Sequence, residues 1–145
     1  MDDFTEMRNW MVSGQIQRRG VTNARVLEAM RQIPRHLFVP LELEGHAYED
    51  RPLPIGYEQT ISQPYIVALM TSLLNLKGNE RVLEVGTGSG YQAAVLSHLA
   101  AEVHSVELIP ELAAQATFTL STLGCNNVTV HVGDGSLGWQ EGAPY

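Results

Sequence analysis

The chain has 145 residues, of which 44% are hydrophobic, a composition that supports one globular domain with an ordinary core and excludes a disordered chain. Its net charge of −7, from 16 acidic and 9 basic residues, leaves no basic run that could follow a phosphate backbone, so we expect no nucleic-acid partner. No apolar run has the length needed to span a bilayer, so a membrane is not an expected partner either.

Two helices are predicted at the start of the chain. Residues 4–19 place apolar side chains among polar ones at helical intervals, and Gly20 is a suitable end. Thr22 is predicted to cap a second helix, which Pro34 ends because proline lacks a backbone donor. The apolar face of this second helix comprises Val26, Leu27, Met30 and Ile33.

The next segment, residues 35–62, is rich in proline, glycine and aromatic residues, which predicts an ordered but irregular structure rather than a linker. Residues 65–74 are apolar nearly all round and predict a buried helix that ends near Gly78.

From residue 81 onward, short β-branched runs alternate with helical stretches. Strands are predicted at 81–85, 103–107 and 128–132, and helices at 91–101 and 110–123. The fold class is therefore α/β, with N-terminal helices followed by a Rossmann-like parallel sheet that is covered on both faces.

The strongest chemical signal lies between the first predicted strand of this sheet and the helix that follows it. It is the run Glu84-Val85-Gly86-Thr87-Gly88-Ser89-Gly90. Glycines at alternate positions permit a tight turn and a close approach to a ligand, beside unpaired N–H groups at the helix start. The simpler alternative is a tight turn that binds nothing.

The spacing of this loop argues against nucleotide diphosphates. Tyr91 occupies the position where a dinucleotide site requires a small third residue, and the loop lacks the lysine of a phosphate-binding P-loop. Glu107 ends the second strand and could accept hydrogen bonds from a ribose diol, unless it is a solvated charge. Asp134 follows the third strand between two glycines, unless this is an ordinary turn. Together these strand ends predict one nucleoside-sized pocket that suits S-adenosylmethionine.

The chain resembles the protein-L-isoaspartate (D-aspartate) O-methyltransferase family, whose members methylate isomerised aspartyl residues. Besides the glycine loop, the resemblance rests on a restrictive motif upstream of it, Thr60-Ile61-Ser62-Gln63-Pro64, and it covers nearly the whole chain. Glu58 departs from the pattern, since many relatives carry glycine at this position.

The resemblance implies a class I methyltransferase that uses S-adenosyl-L-methionine, releases S-adenosyl-L-homocysteine and acts on isoaspartyl-containing proteins or peptides. Residues 1–78 would then form the substrate side and residues 79–145 the first part of the cofactor domain. Glu107 would hold the ribose and Asp134 would lie near the adenine amino group. The other implied cofactor-binding residues are Glu84, Gly86, Thr87, Gly88, Ser89, Gly90 and Gly135.

The resemblance also makes Ser62 and Thr60 the candidate catalytic residues, through hydroxyls that hold the substrate carboxylate. Such a carboxylate is already ionised near neutral pH and needs no general base, so positioning should dominate catalysis. Ser62 could instead cap the helix that begins at Pro64. A hydrolase is disfavoured because no G-x-S-x-G motif surrounds Ser62. A non-catalytic module that binds a nucleoside or a partner protein remains an open alternative.

The family pattern would continue beyond Tyr145 with a strand beside residues 81–85. We therefore expect an unpaired sheet edge, self-association through that edge with a dimer as its simplest form, and weak or absent turnover. Cys125 is the single cysteine, and no Cys/His spacing suggests a metal site, so we expect a reducing, cytoplasmic location and no bound metal.

Overall fold

The computed structural model describes residues 3–145, so the first two positions of the predicted N-terminal region lie outside the described residues. The chain divides into two compact units, one extending as far as Asn75 and the other comprising Leu76–Tyr145. Within the described range, no helix combines the length and apolarity that a membrane crossing requires.

The first unit begins with the predicted helical stretch. Helix α1 covers Asp3–Trp10, and the backbone continues through wider turns at Met11–Ile16 and a tight turn at Gln17–Arg19. Gly20 ends the stretch with a left-handed φ of 100°. The helix predicted for residues 4–19 is thus confirmed as one helical run, although its middle turns are wider than those of an α-helix.

Helix α2 comprises Ala24–Gln32, and its cap differs from the prediction. Asn23, not Thr22, is the N-cap: its side-chain oxygen accepts hydrogen bonds from the backbone N–H groups of Arg25 at 3.0 Å and Val26 at 3.2 Å. The cap must immediately precede the first helical residue, and Asn23 occupies that place with extended backbone angles. The four residues of the predicted apolar face are all buried.

The irregular segment contains an antiparallel hairpin that the sequence did not predict. Strand β1, Leu53–Gly56, pairs with strand β2, Gln59–Ile61, after short turns of 3₁₀ helix at Arg35–Phe38 and Leu41–His46. The turn residues Tyr57 and Glu58 both have positive φ, 54° and 58°. Both residues therefore adopt a conformation that favours glycine, which is why glycine is expected at position 58.

Helix α3 comprises Pro64–Leu74 and ends at Asn75, which adopts a left-handed φ of 51°, rather than near Gly78. The expectation of a buried helix holds for one side of it only. Val67, Ala68 and Thr71 are buried, but Met70 is 47% and Leu73 75% exposed. Within this unit the helix packs along one side only, so the apolar residues on the other side face solvent.

The second unit is a parallel three-stranded sheet with two helices. Its strands are β3, Arg81–Val85; β4, Glu102–Glu107; and β5, Val128–Val132, in the spatial order β3-β4-β5. Its helices are α4, Tyr91–Ser97, and α5, Pro110–Thr122. The predicted bounds of the first and third strands agree with the structure, and the second strand starts one residue earlier.

Helices cover one face of this sheet rather than both. Because each new strand is added on the same side, two right-handed crossovers place α4 and α5 on the same face. On that face Val82 and Val103, which pair in register, pack against Leu96 and Ala100. Over the opposite face runs the C-terminal segment, where the ring of Trp139 stacks on His131 with 3.8 Å between centroids.

Helix α4 is four residues shorter than predicted. The chain leaves the helix after Ser97, and residues 98–101 turn back toward β4. The side-chain amide of Asn127 donates to the carbonyl oxygens of Ser97 at 2.9 Å and Ala100 at 3.2 Å. These bonds satisfy carbonyl groups that a longer helix would use internally.

Candidate functional site

The glycine loop connects β3 to α4 through three left-handed residues. Gly86, Gly88 and Gly90 have φ values of 88°, 56° and 90°. A side chain in this region costs about 1–2 kcal/mol, which explains why glycine occupies alternate positions of the loop. The backbone N–H of Gly86 donates to the carbonyl of Val106 at 2.8 Å, so the loop starts as an extension of the sheet.

Two of these glycines differ in their surroundings. A Cβ added to Gly90 would lie 3.2 Å from the Cβ of Ala116, so this glycine lets the loop pack closely on α5. A Cβ added to Gly86 would meet nothing within 4 Å. Open space therefore adjoins the backbone of Gly86, which is what a loop that holds a ligand needs.

Glu107 fastens the loop to the end of β4. One of its carboxylate oxygens accepts the N–H of Gly88 at 2.8 Å, and the other accepts the N–H of Ile109 at 2.9 Å. The side chain is 6% exposed. Each carboxylate oxygen has two lone pairs, so Glu107 can accept further hydrogen bonds from a ribose diol while it holds the loop.

A chain of hydrogen-bonded polar side chains, formed by Glu84, Ser105 and Thr87, lies beneath the loop. The hydroxyl of Ser105 bonds to the carboxyl of Glu84 and lies 2.6 Å from the hydroxyl of Thr87. Burial, with a contribution from the nearby charge of Glu107, raises the pKa of Glu84 to about 7, although the bond from Ser105 opposes this rise. Glu84 therefore changes its charge near neutral pH.

Asp134 lies beside the same strand ends. The backbone N–H after β5, at Gly133, donates to the carbonyl of Glu107 at 3.0 Å. One carboxylate oxygen of the exposed Asp134 accepts from the N–H and the hydroxyl of Ser136, and these bonds lower the pKa of Asp134. A Cβ on Gly135 would overlap the side chain of Val85, so glycine allows this turn to approach β3.

The structure thus brings together the loop from Glu84 to Gly90, Glu107 and the turn from Asp134 to Gly135, all at the carboxyl ends of parallel strands. Ser105 was absent from the sequence-derived set. The available signal was its register, because Ser105 pairs directly with Glu84 across β3 and β4.

Thr60 and Ser62 belong to the first unit, at the end of β2 and just before α3, and both are exposed. The residue that precedes α3 is Gln63, and the helix has no side-chain cap, so the alternative of Ser62 as a helix cap does not hold. The Gln63 amide instead donates to Asp50 at 2.8 Å, and Asp50 pairs with Arg19 at 2.8 Å. Among the described residues, no group of three or more metal-ligating side chains could hold a metal ion.

Residues 6–145 match the sequence profile of the family described as protein-L-isoaspartate(D-aspartate) O-methyltransferase. Relatives that carry the name protein-L-isoaspartate O-methyltransferase include proteins of Syntrophus aciditrophicus, 58% identical over 100% of this chain, and Methanoculleus marisnigri, 59% identical over 99%. The chain spans 66% of the length of each of these two relatives. It spans 59% of a Synechococcus relative that is 58% identical over 99% of this chain.

Solved structures agree with the fold. A protein-L-isoaspartate O-methyltransferase matches 97% of this chain and 45% of its own chain, with a TM-score of 0.82 and 33% identity. A putative protein-L-isoaspartate O-methyltransferase from Plasmodium falciparum, solved with S-adenosyl-L-homocysteine, matches 85% of this chain and 61% of its own. Its TM-score is 0.71 and its identity 24%, so this second likeness shows the fold alone. The predicted α/β class with a Rossmann-like sheet is confirmed.

Proposed function

The chain belongs to the protein-L-isoaspartate(D-aspartate) O-methyltransferase family, and from this premise we propose that it binds S-adenosyl-L-methionine. We propose further that it takes part in methyl transfer to the free carboxylate of L-isoaspartyl or D-aspartyl residues in damaged proteins and peptides. This is a protein repair activity, and isoaspartyl-containing polypeptides are its partners.

The observation that supports cofactor binding most directly is the hydrogen bond from the backbone N–H of Gly88 to the carboxylate of Glu107. A carboxylate that is buried, holds the glycine loop through a backbone N–H and keeps lone pairs for a diol fits a nucleoside ligand. The open space beside Gly86 fits a ligand that contacts backbone. The proposed cofactor-binding residues are those expected from the sequence, from Glu84 to Gly90, with Glu107, Asp134 and Gly135.

The chemistry asks little of the protein beyond positioning. When bound, S-adenosyl-L-methionine supplies an electrophilic methyl group: a substrate carboxylate oxygen forms a bond to the methyl carbon, and the broken carbon–sulfur bond leaves its electrons on sulfur. We propose that the hydroxyls of Ser62 and Thr60 hold the substrate carboxylate for this in-line displacement. The substrate side would then lie in residues 1–78 and the cofactor side in residues 79–145.

Calorimetric titration with S-adenosyl-L-homocysteine tests the cofactor site. The parent chain should bind, and Gly88→Val should abolish binding because a β-branched residue cannot adopt the left-handed φ of 56° without strain. Gly45→Ala is the matched control, since an added Cβ there meets nothing within 4 Å. Equal binding by Gly88→Val and the parent would contradict the proposal.

An assay of methyl-ester formation on an isoaspartyl peptide separates the enzyme from a non-catalytic binding module. Turnover that Ser62→Ala reduces, while S-adenosyl-L-homocysteine binding is kept, would support a role of Ser62 at the substrate. Binding without turnover would fit both the weak or absent turnover that the sequence predicts and a module that binds a nucleoside or a partner protein.

We propose, in addition, self-association through β3. Among the described residues of the second unit, β3 pairs with β4 alone, and Val85 at its end is 60% exposed. An apolar strand with unpaired backbone groups favours pairing with another strand, and a dimer is the simplest closed form. Light scattering over a range of concentrations should show dimers, and a monomer at every concentration would contradict this. The proposed compartment is the cytoplasm, in keeping with a single, buried cysteine.

A further inference from the structure

Ser105 occupies the centre of the chain of polar side chains, Glu84, Ser105 and Thr87, beneath the glycine loop. Its side chain is completely buried and Thr87 is 4% exposed. Ser105 pairs in register with Glu84 on β3, and its hydroxyl lies 2.6 Å from that of Thr87 in the loop. One serine hydroxyl thus connects a carboxyl group of the sheet to a side chain of the loop.

The charge of Glu84 limits the directions in which these hydrogen bonds can run. When Glu84 is ionised, it can only accept, so Ser105 donates to Glu84 and Thr87 donates to Ser105. The hydroxyl hydrogens of Ser105 and Thr87 are then both used in these two hydrogen bonds. When Glu84 is neutral, its own hydrogen can be donated to Ser105, which then donates to Thr87. In this second arrangement the hydroxyl hydrogen of Thr87 is not used within the three side chains, and it needs another acceptor.

We propose that Ser105 is a positioning residue of the glycine loop, whose hydroxyl transmits the protonation of Glu84 to Thr87 and decides whether Thr87 donates inward or toward a bound ligand. The transmission itself is a property of the ligand-free chain. Its consequence for the cofactor rests on the proposed function.

The groups around Glu84 place its change of protonation near neutral pH. Burial raises the pKa of Glu84 to about 7, and Glu107 on the adjacent strand adds to the rise. Helix α4 packs on the face of the sheet that carries Val82 and Val103. It has no carboxylate, histidine, lysine or arginine, and Glu111 is the charged residue of α5. Glu107 is therefore the charged neighbour that must be considered in any titration.

Nuclear magnetic resonance of the ligand-free protein gives the first test. In the parent chain, the ¹³C shifts of the Glu84 carboxyl and the Thr87 Cβ should titrate together near neutral pH. In Ser105→Ala, Thr87 should lose this titration, and the pKa of Glu84 should rise further because a bond that lowers it is gone. Ser97→Ala is the control. The Glu84 and Thr87 shifts should titrate in it as in the parent, since the Ser97 hydroxyl donates to the carbonyl of Ala94 and contacts none of the three polar side chains.

A purely electrostatic or structural role of Ser105 predicts a different result in the resonance experiment. If Thr87 does not titrate in the parent, or titrates identically in Ser105→Ala, the proposal is overturned. Should Ser105→Ala fail to fold, Thr87→Ser and Thr87→Val replace it. Thr87→Ser keeps the hydroxyl, and the Ser105 Cβ and the residue-87 Cβ should then titrate together; if residue 87 stays constant, transmission to the loop is excluded.

Titration with S-adenosyl-L-homocysteine at several pH values tests the consequence. Affinity should weaken several-fold as pH rises through neutrality in the parent and in Thr87→Ser, because ionised Glu84 draws the Thr87 hydrogen inward. Thr87→Val should show no such change. An identical change in Thr87→Val would mean that Glu84 acts on the ligand directly and would overturn the coupling. Absence of binding at every pH would count against the proposed function, whereas the resonance experiment would still decide the role of Ser105.

Discussion

At the scale of single residues, one carboxylate connects three parts of the candidate site. Glu107 ends β4, holds the loop at Gly88 and holds the start of α5 at Ile109. Both bonds join a carboxylate oxygen to a backbone donor, and hydrogen bonds to carboxylates contribute about 1.5–3 kcal/mol each when buried. The position of the loop therefore depends on the carboxylate of Glu107 as well as on its glycines.

Replacement of this charge tests the dependence. In Glu107→Gln the side-chain carbonyl can keep one bond, but the amide group points a donor at the second N–H. We expect the free energy of unfolding to fall by about 1–3 kcal/mol and S-adenosyl-L-homocysteine binding to be lost, as measured by urea unfolding and calorimetry. Glu111→Gln, in the exposed first turn of α5, is the control. Unchanged stability and binding in Glu107→Gln would disprove the role assigned to it.

Three glycines of this chain separate backbone strain from packing. Gly90→Ala combines a left-handed φ of 90° with a Cβ 3.2 Å from Ala116, Gly124→Ala has a φ of 73° and no contact, and Gly45→Ala has neither. Strain alone costs about 1–2 kcal/mol. Thermal unfolding should rank the variants with Gly45→Ala near the parent, Gly124→Ala below it and Gly90→Ala lowest. Equal losses at Gly90 and Gly124 would mean that the contact with α5 adds nothing.

At the scale of secondary-structure elements, the start of α2 depends on one side chain. Asn23 satisfies two backbone donors that the helix leaves unpaired, whereas Thr22 lies one residue too early to do so. Asn23→Ala should lower the free energy of unfolding by about 1 kcal/mol, the typical value of an N-cap, and Thr22→Ala should change it less. Urea unfolding of both variants measures these changes. A larger loss of unfolding free energy in Thr22→Ala than in Asn23→Ala would make Thr22 the N-cap.

The elements that the sequence predicted well are those with a strong local pattern. The strands at 81–85 and 128–132 were found because β-branched runs are bounded by turn residues. The hairpin was missed because Tyr57 and Glu58 occupy a turn that normally requires glycine or asparagine. The end of α4 was missed because Asn127, thirty residues beyond Ser97, satisfies the carbonyl there, and no local pattern records such a contact.

The candidate site shows the same limit. The glycines and the acidic strand ends are local features, and their convergence follows from the parallel order of the strands. The roles of Ser105 and Ile109 depend on pairing across strands and on the fold of the loop. A serine within a strand carries no signal until its register partner is known.

At the scale of the whole molecule, two partly buried titratable groups, His131 and Glu84, make stability depend on pH in opposing ways. His131 stacks on Trp139 and lies 2.8 Å from a ring nitrogen of His104, which in turn bonds to Glu102 at 2.5 Å. Burial, and then the charge of His104, lowers the pKa of His131. The folded state thus takes up its proton less readily than the unfolded chain, so His131 favours folding above its unfolded pKa of 6.5 and loses that contribution as pH falls.

The contribution of Glu84 to stability changes with pH in the opposite direction. Its pKa is raised from 4.5 to about 7, so the folded state binds the proton more tightly than the unfolded chain between these values, and stability falls as pH rises through them. The difference corresponds to about 3 kcal/mol. Glu84→Gln keeps a neutral group beside Ser105, and its stability relative to the parent should therefore rise by up to about 3 kcal/mol between about pH 5 and pH 8.

Urea unfolding of both chains across this range measures the effect, with Glu42→Gln, an exposed position, as the control. Glu80, Glu102 and Asp134 have lowered pKa values, so their contributions are lost only in more acidic solution and do not enter the comparison. Parallel curves for Glu84→Gln and the parent would show that Glu84 is ionised in the folded protein throughout. A gap that opens with rising pH would place a neutral carboxyl group beneath the glycine loop, beside the hydroxyl of Ser105.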